Sequence, residues 1–496
     1  MRRALAKALS LIIVVLIFPS GCKEDNGTEI DQKKEMAING LISRDSTVKS
    51  VEEFLVARGL KGLSVAVFED YEVIWADSWG FKETGTADSV NLETAFSTAS
   101  ISKGVTATLL AMLEEEGLMD LNVPVNNYLK RWKLPENDFT KEVPVTLEHL
   151  LSHMAGTTQH GFADFYEGDT IPTLVESLQG KLPRYKEEIS VVFKPGTTWQ
   201  YSGGGYVIVQ MAVEDHLGKS LADLAAERLF IPLGMSRTTM KQPNEEGFPQ
   251  NVARAHDEEG KLIRTGIPIT PQVAPSGMWS TPKDMALFMI EMQKALDGQK
   301  TEVISREVAK RVTNIITVKT LGGSGLAWER FHGFGNREWF SHGGANTGTG
   351  GYVYGTMEGG NGMVFFGNGP NGIRIPVLDQ LRNSIVASHG WHKPLDLDVR
   401  DSIPASLLNK VTGSYQHVLY NAQVQVTEEN GTLTVNPFFG GIPAQLHYLG
   451  DNVFAVEEFP SNLVFQVNPE DGEFYMALKR RGFQGEADYS FKKLEQ

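Results

Sequence analysis

A chain of 496 residues exceeds one ordinary domain, and its 41% hydrophobic content suffices for a large buried core. A formal net charge of −15 and a pI near 5.3 exclude nucleic acid and anionic membrane surfaces as general partners. With one cysteine, Cys22, a disulfide framework is excluded as well.

The first 22 residues have the layout of a secretory signal: Arg2, Arg3 and Lys7, an apolar run over 9–18, then Pro19-Ser20-Gly21-Cys22. That run is too short to span a bilayer. Cys22 directly after Ser-Gly reads as the lipidated first residue of a bacterial lipoprotein, although Pro19 replaces the usual aliphatic residue. A cleaved signal with an accidental cysteine is the competing reading. Lys23-Glu24-Asp25 resembles the export signal of some bacterial surface lipoproteins. The expected address is the cell envelope, lipid-anchored on the periplasmic or surface face of the outer membrane. Residues 23–46 are polar and poor in aromatics, which predicts a flexible tether leading to a helix over 48–58.

Residues 47–393 mix helical and strand patterns. Runs over 63–69 and 72–79 around Asp70-Tyr71 predict a hairpin, and 352–354 and 362–368 predict strands of a central sheet. Helical patterns cover the stretch after Ser100 as far as Gly117, then 146–153, 207–213, 221–230 and 284–296. Ser280-Thr281-Pro282 is a helix start with a hydroxyl cap. Glu114, Glu115 and Glu116 stand at a helix end where the dipole disfavours them, and the sequence offers only a solvated face as the reason. Residues 394–496 change to short alternating runs with Asn430-Gly431 and Asp471-Gly472 turns, which predicts a small antiparallel β domain, barrel or sandwich.

Ser100-Ile101-Ser102-Lys103 opens the apolar helix carrying Val105, Leu109, Met112 and Leu113. Residues three apart on a helix lie about 60° around the axis and about 4.5 Å along it, so Lys103 reaches Ser100. A buried lysine with lowered pKa is one way to take a serine proton, and the helix N-terminus supplies free N–H groups for an oxyanion. Ser-x-x-Lys alone is weak, because it recurs at Ser20, Ser46, Ser280 and Ser490. Two further stretches raise its weight. Trp199-Gln200-Tyr201-Ser202-Gly203-Gly204-Gly205 puts a tyrosine on a glycine-rich loop, where backbone can approach a ligand. Ser341-His342-Gly343-Gly344-Ala345 is suited to the edge of a cleft at which a substrate pairs with a strand.

In this order the three stretches resemble the serine β-lactamase and penicillin-binding-protein-like hydrolases. The likeness is to the class C branch and its D-aminopeptidase, D,D-peptidase and esterase relatives, over about residues 50–390. Landmarks at Leu150-Leu151-Ser152-His153, Pro232-Leu233-Gly234-Met235, Ser276-Gly277-Met278-Trp279 and Phe366-Gly367-Asn368 belong to the same pattern. The resemblance implies an α/β (α+β) fold with an antiparallel central sheet flanked by helices. It implies Ser100 as nucleophile, Lys103 as its helper and Tyr201 as base and proton donor. The N–H groups of Ser100 and Ala345 would form the oxyanion hole, and His342, Gly343, Gly344 and Gly203 would bind substrate. Gly203 stands in place of the asparagine of Tyr-x-Asn, and His342 in place of a lysine. Both departures favour a D-aminopeptidase, D,D-peptidase or esterase over an efficient β-lactamase.

His153 and His160 read as structural, since no His-Glu-x-x-His or Cys-rich spacing supports a metal site, and no cofactor is expected. Gly367-Asn368-Gly369-Pro370-Asn371-Gly372 spells a dinucleotide pattern, but Pro370 and Asn371-Gly372 favour a turn over a helix start. The expectation is a monomeric, lipid-anchored serine hydrolase acting on a small-molecule or peptide amide or ester, without nucleic acid. The alternative is a non-catalytic or slowly deacylating penicillin- or peptidoglycan-binding sensor.

Overall fold

In the computed structural model, strands β1 (Gly62–Glu69) and β2 (Glu72–Gly80) form the expected hairpin, with Asp70 and Tyr71 at φ 51° and 65°. Two consecutive left-handed residues give a turn whose twist matches the strands it joins. The structure describes residues 26–43, 47–319, 322–392, 397–418, 423–436, 443–456, 461–480 and 488–494. The signal segment and Cys22 lie outside the described residues.

In chain order the next strands are β3 (Phe96–Ser97), β4 (Trp279–Ser280), β5 (Thr317–Lys319), β6 (Gly322–Ser324), β7 (Glu329–Gly333), β8 (Arg337–Asn346), β9 (Thr349–Thr356) and β10 (Gly362–Gly367). Strands β3 and β4 pair alone. The other eight form one antiparallel sheet in the order β2-β1-β10-β9-β8-β7-β6-β5. Side chains alternate between its faces. Ala66 and Phe68 of β1 join a cluster with the helices Ile101–Glu115, Gly203–Leu217 and Pro282–Leu296. Leu63, Val65 and Val67 join the opposite cluster, with Val51–Arg58 and Asn371–Ser388. Both faces are covered, so β1 is buried at every residue from Gly62 to Phe68, Ser64 included.

The flexible tether is corrected. Residues Asn26–Ile42 form a helix packed against Asn371–Ser388, with Ala37 and Leu41 buried and Ile30, Ile38 and Ile42 partly buried beside them. Its apolar residues are few but recur at helical spacing, and Gly40 lets the two helices approach: a Cβ there would lie 2.5 Å from Ser384 Oγ. The turn expected at Pro370 is also corrected. The helix Asn371–Ser388 begins there, with Pro370 as its N-cap residue. Proline supplies a φ of −68° and loses no bond in a position whose N–H has no helical partner. The space before this helix is taken by Arg374, which donates to Gly369 O and Asn371 Oδ1.

Thr281 caps Pro282–Leu296, its Oγ1 accepting from Asp284 N at 3.1 Å. The three glutamates ending the Ser100 helix have partners that the sequence did not reveal. Glu114 pairs with Arg311 at 2.9 Å, Glu116 pairs with Arg228, and Glu115 accepts from Ser305 Oγ at 2.6 Å. Cations from other elements offset the dipole there.

Between Gly413 and Lys493, eight strands close into an antiparallel barrel, each paired with its sequence neighbours and the last with the first. Six of them coincide with the alternating runs. The strands Ala444–Gly450 and Asp488–Lys493 are additional. Asn430 and Gly431, at φ 51° and 80°, make the expected hairpin turn. Tyr415, Phe454, Phe465, Met476 and Phe491 belong to one buried cluster, so side chains fill the interior.

Candidate active site

Ser100 immediately precedes the helix Ile101–Glu115, and its hydroxyl makes no cap bond. Instead Ser100 Oγ accepts from Lys103 Nζ at 3.1 Å and from Tyr201 OH at 2.9 Å. The backbone around the nucleophile is bent. Ala99 is fully buried with φ +51°, an unfavourable conformation for a residue with a Cβ. Local bonds hold it: Ser102 Oγ donates to Ala99 O at 2.6 Å and accepts from Met278 N at 3.0 Å. Thr98 is bound to Met278 O through both its N–H and its hydroxyl. The landmark 276–281 thus straps the nucleophile turn.

Lys103 is 1% exposed, and its second acceptor is Pro275 O at 2.8 Å. Burial holds its ammonium below the usual lysine range, while Tyr201 opposes that shift. The ammonium lies 4.9 Å above the Tyr201 ring and 5.6 Å above that of Tyr206. Water is excluded from the amine, so it loses its proton more readily than a lysine in water, although the ring faces and acceptor oxygens partly offset this by stabilising the ammonium.

Tyr201 is held by the loop that follows Leu147–Leu151. Gln200 N donates to His153 O at 2.8 Å, Ser202 N to His153 Nδ1 at 3.2 Å, and Gly203 N to His160 O at 3.0 Å. The rings of His153 and His160 lie 4.4 and 4.9 Å from that of Tyr201. Both histidines had been read as structural only, yet they line the cleft. Gly203 is corrected. It sits buried in the first turn of Gly203–Leu217, outside the cavity lining, where a Cβ would meet Phe162 at 2.9 Å. Its small size serves packing, and it has no side chain with which to bond Lys103 or a substrate.

The cavity has a volume of about 560 Å³, with Ser100 and Tyr201 on one wall and His342, Gly343, Gly344 and Ala345 on another. Strand β8 lies inside the sheet, but its pairing with β7 ends at Ser341, so the His342–Asn346 stretch borders the cleft. Gly344 is obligatory, since a Cβ would lie 2.0 Å from Thr98 O. His342 Nδ1 is 2.7 Å from Gly343 O, and its ring stands edge-on to Trp328. The hairpin is tied to the nucleophile strand by Asn346 Nδ2 donating to Ser97 Oγ at 2.9 Å.

Sequence reasoning missed Trp199, Tyr352 and Arg374, which also line the cavity. Arg374 is 1% exposed, and burial lowers its pKa to about 10. Trp199 stands two residues before Tyr201 in the stretch already singled out, whereas Tyr352 and Arg374 come from separate elements with no local spacing to connect them to the site. Only Leu-Leu-Ser-His, as a landmark, pointed toward His153. No group of three or more His, Cys, Asp or Glu suited to a metal occurs among the described residues.

A model of the Beta-lactamase family matches residues 48–385. The chain belongs to the Beta-lactamase family. Among its relatives, penicillin-binding protein 4* of Bacillus subtilis is 30% identical over 176 residues, 35% of this chain and 37% of that protein. Teichoic acid D-alanine hydrolase of Staphylococcus aureus is 24% identical over 260 residues, 51% and 59% of the two chains. This member therefore spans less than two thirds of those curated relatives. The D-amino acid amidase structure from Ochrobactrum anthropi SV3 shares its fold, with TM-score 0.56 and 21% identity over 72% of this chain and 98% of that one.

Proposed function

We propose that this Beta-lactamase-family protein is a serine hydrolase that cleaves an amide or ester through an acyl-enzyme on Ser100. One observation carries the reading: Ser100 Oγ lies within hydrogen-bond reach of both Lys103 Nζ and Tyr201 OH at the wall of a cavity. As Ser100 Oγ attacks the carbonyl carbon, its proton passes to the Lys103–Tyr201 pair. The carbonyl oxygen becomes an oxyanion, stabilised by the backbone N–H groups of Ser100 and Ala345. Collapse breaks the bond to the leaving nitrogen or oxygen, which takes a proton from Tyr201. Water activated by the same pair then releases the acid and regenerates Ser100.

A D-amino-acyl amide or ester suits the cleft better than a β-lactam. His342 stands where β-lactam-hydrolysing relatives carry a lysine, and Gly203 offers no amide group. The names of the similar proteins, a D-alanine hydrolase and a D-amino acid amidase, support the same class. The lipid anchor at Cys22 belongs to this proposal and rests on the signal-like sequence before it. Labelling with a fatty-acid analogue, lost in Cys22→Ala, is its check.

The test of function is turnover of a D-alanine anilide, a short-chain ester and nitrocefin by wild type and Ser100→Ala. The expected result is Ser100-dependent turnover of the anilide or ester exceeding that of nitrocefin. A stable acyl adduct without turnover would favour the sensor reading instead, and turnover surviving Ser100→Ala would overturn the nucleophile.

A further inference from the structure

Building on the Ser100 acyl-enzyme reading, we infer that His153 is the positioning residue that sets the reactive orientation of Tyr201. His153 grips the tyrosine loop on both sides of residue 201. Its carbonyl accepts from Gln200 N at 2.8 Å, and its Nδ1 accepts from Ser202 N at 3.2 Å. A backbone N–H only donates, so Nδ1 is the bare nitrogen of a neutral imidazole whose proton sits on Nε2. The ring also lies 4.4 Å from that of Tyr201 and 5.3 Å from that of Tyr206, the two rings that flank the Lys103 ammonium. One side chain thereby fixes the backbone beside the phenol and packs against its ring.

The local backbone is shaped for this grip. His153 has φ +60°, a left-handed conformation that turns the chain after Leu147–Leu151 back toward the tyrosine loop. It is 4% exposed, so water does not readily replace the Nδ1 acceptor. The segment after it completes the cradle. Ser202 Oγ donates to Thr158 O at 2.7 Å, and Gln200 Nε2 to Thr157 O at 3.1 Å. Those bonds use the side chains of residues 200 and 202, whereas the His153 ring holds the backbone N–H directly after the phenol-bearing residue. A displacement of about 1 Å in a reacting group costs on the order of 100-fold in rate.

Two substitutions separate the acceptor from the ring. Asparagine tolerates a positive φ and carries Oδ1 at the branch position of Nδ1, so His153→Asn keeps an acceptor for Ser202 N. His153→Phe keeps an aromatic ring and removes the acceptor. The full mature chain of each is compared with wild type for fluorophosphonate acylation of Ser100, for kcat and KM on a short-chain ester, and for Tm. His153→Phe is expected to acylate about 10- to 100-fold more slowly, with kcat reduced and KM within about threefold. His153→Asn is expected to stay within about threefold of wild type. A folded His153→Phe acylating at the wild-type rate would overturn the inference. So would a His153→Asn as slow as His153→Phe, or a loss confined to KM. These outcomes leave the acyl-enzyme reading intact, because wild type still labels. A folded wild type without Ser100 labelling would remove both.

Discussion

Lys103 is a cation held almost out of contact with water, with neutral oxygens and ring faces for neighbours. Burial depresses its pKa, so the neutral amine becomes available at a lower pH than for a lysine in water. The acylation rate should therefore rise with pH along a limb that lies below the ordinary lysine range. Lys103→Met should remove that limb and slow acylation by about 1,000-fold. Its Tm should not fall, since the substitution removes a desolvated charge from a site shaped for catalysis. Stopped acylation assays across pH, beside thermal melts, check both outcomes.

Among elements, the β8–β9 hairpin carries the tightest constraint. Gly344 faces Thr98 O so closely that Gly344→Ala should cost at least about 2 kcal/mol in urea unfolding, through displacement of either the hairpin or the nucleophile turn. An unchanged midpoint would contradict that packing. The hairpin and the Ser100 helix also show what was legible in the sequence. Ser100 and Lys103 are three residues apart, and helical periodicity alone predicts their meeting. Strand alternation and turn residues located six of the eight barrel strands, but in the central sheet only β1, β2, β9 and β10. The helix Asn26–Ile42 was hidden because charges dilute its apolar stripe, and its partner surface on Asn371–Ser388 is more than 300 residues away. Pro370 was misread because the same residue serves a turn and a helix start. The packing of His153 and His160 on Tyr201 is a product of tertiary contact, and no local pattern encodes it.

At the scale of the whole molecule, Glu69 joins the end of β1 to the helix Asn26–Ile42 through Lys33 and to the residues just after Asn371–Ser388 through His389 and Trp391. Burial pushes its carboxyl up, but hydrogen bonds from His389 and Trp391, with Lys33 nearby, outweigh this and hold it at about 2. A depressed carboxyl stabilises the fold above its unfolded pKa of about 4.5, and that share is lost as pH falls toward 2. In acid unfolding, wild type should lose about 1 to 2 kcal/mol more than Glu69→Gln over this interval, the full shift being reduced by solvent screening of a half-buried group. Equal losses would contradict the linkage. The barrel draws its buried cluster from residues 403–491 alone. Expressed as residues 397–496, it should melt cooperatively with a β-type circular dichroism spectrum, and a non-cooperative melt would show dependence on the rest of the chain.

The central claim is that Ser100 is a nucleophile activated by Lys103 and Tyr201. Its most direct measurement is intact-protein mass after exposure to a fluorophosphonate, for wild type and Ser100→Ala. One added phosphonyl group is expected on wild type and none on the variant. Unlabelled but folded wild type, or labelling that persists in Ser100→Ala, would contradict it.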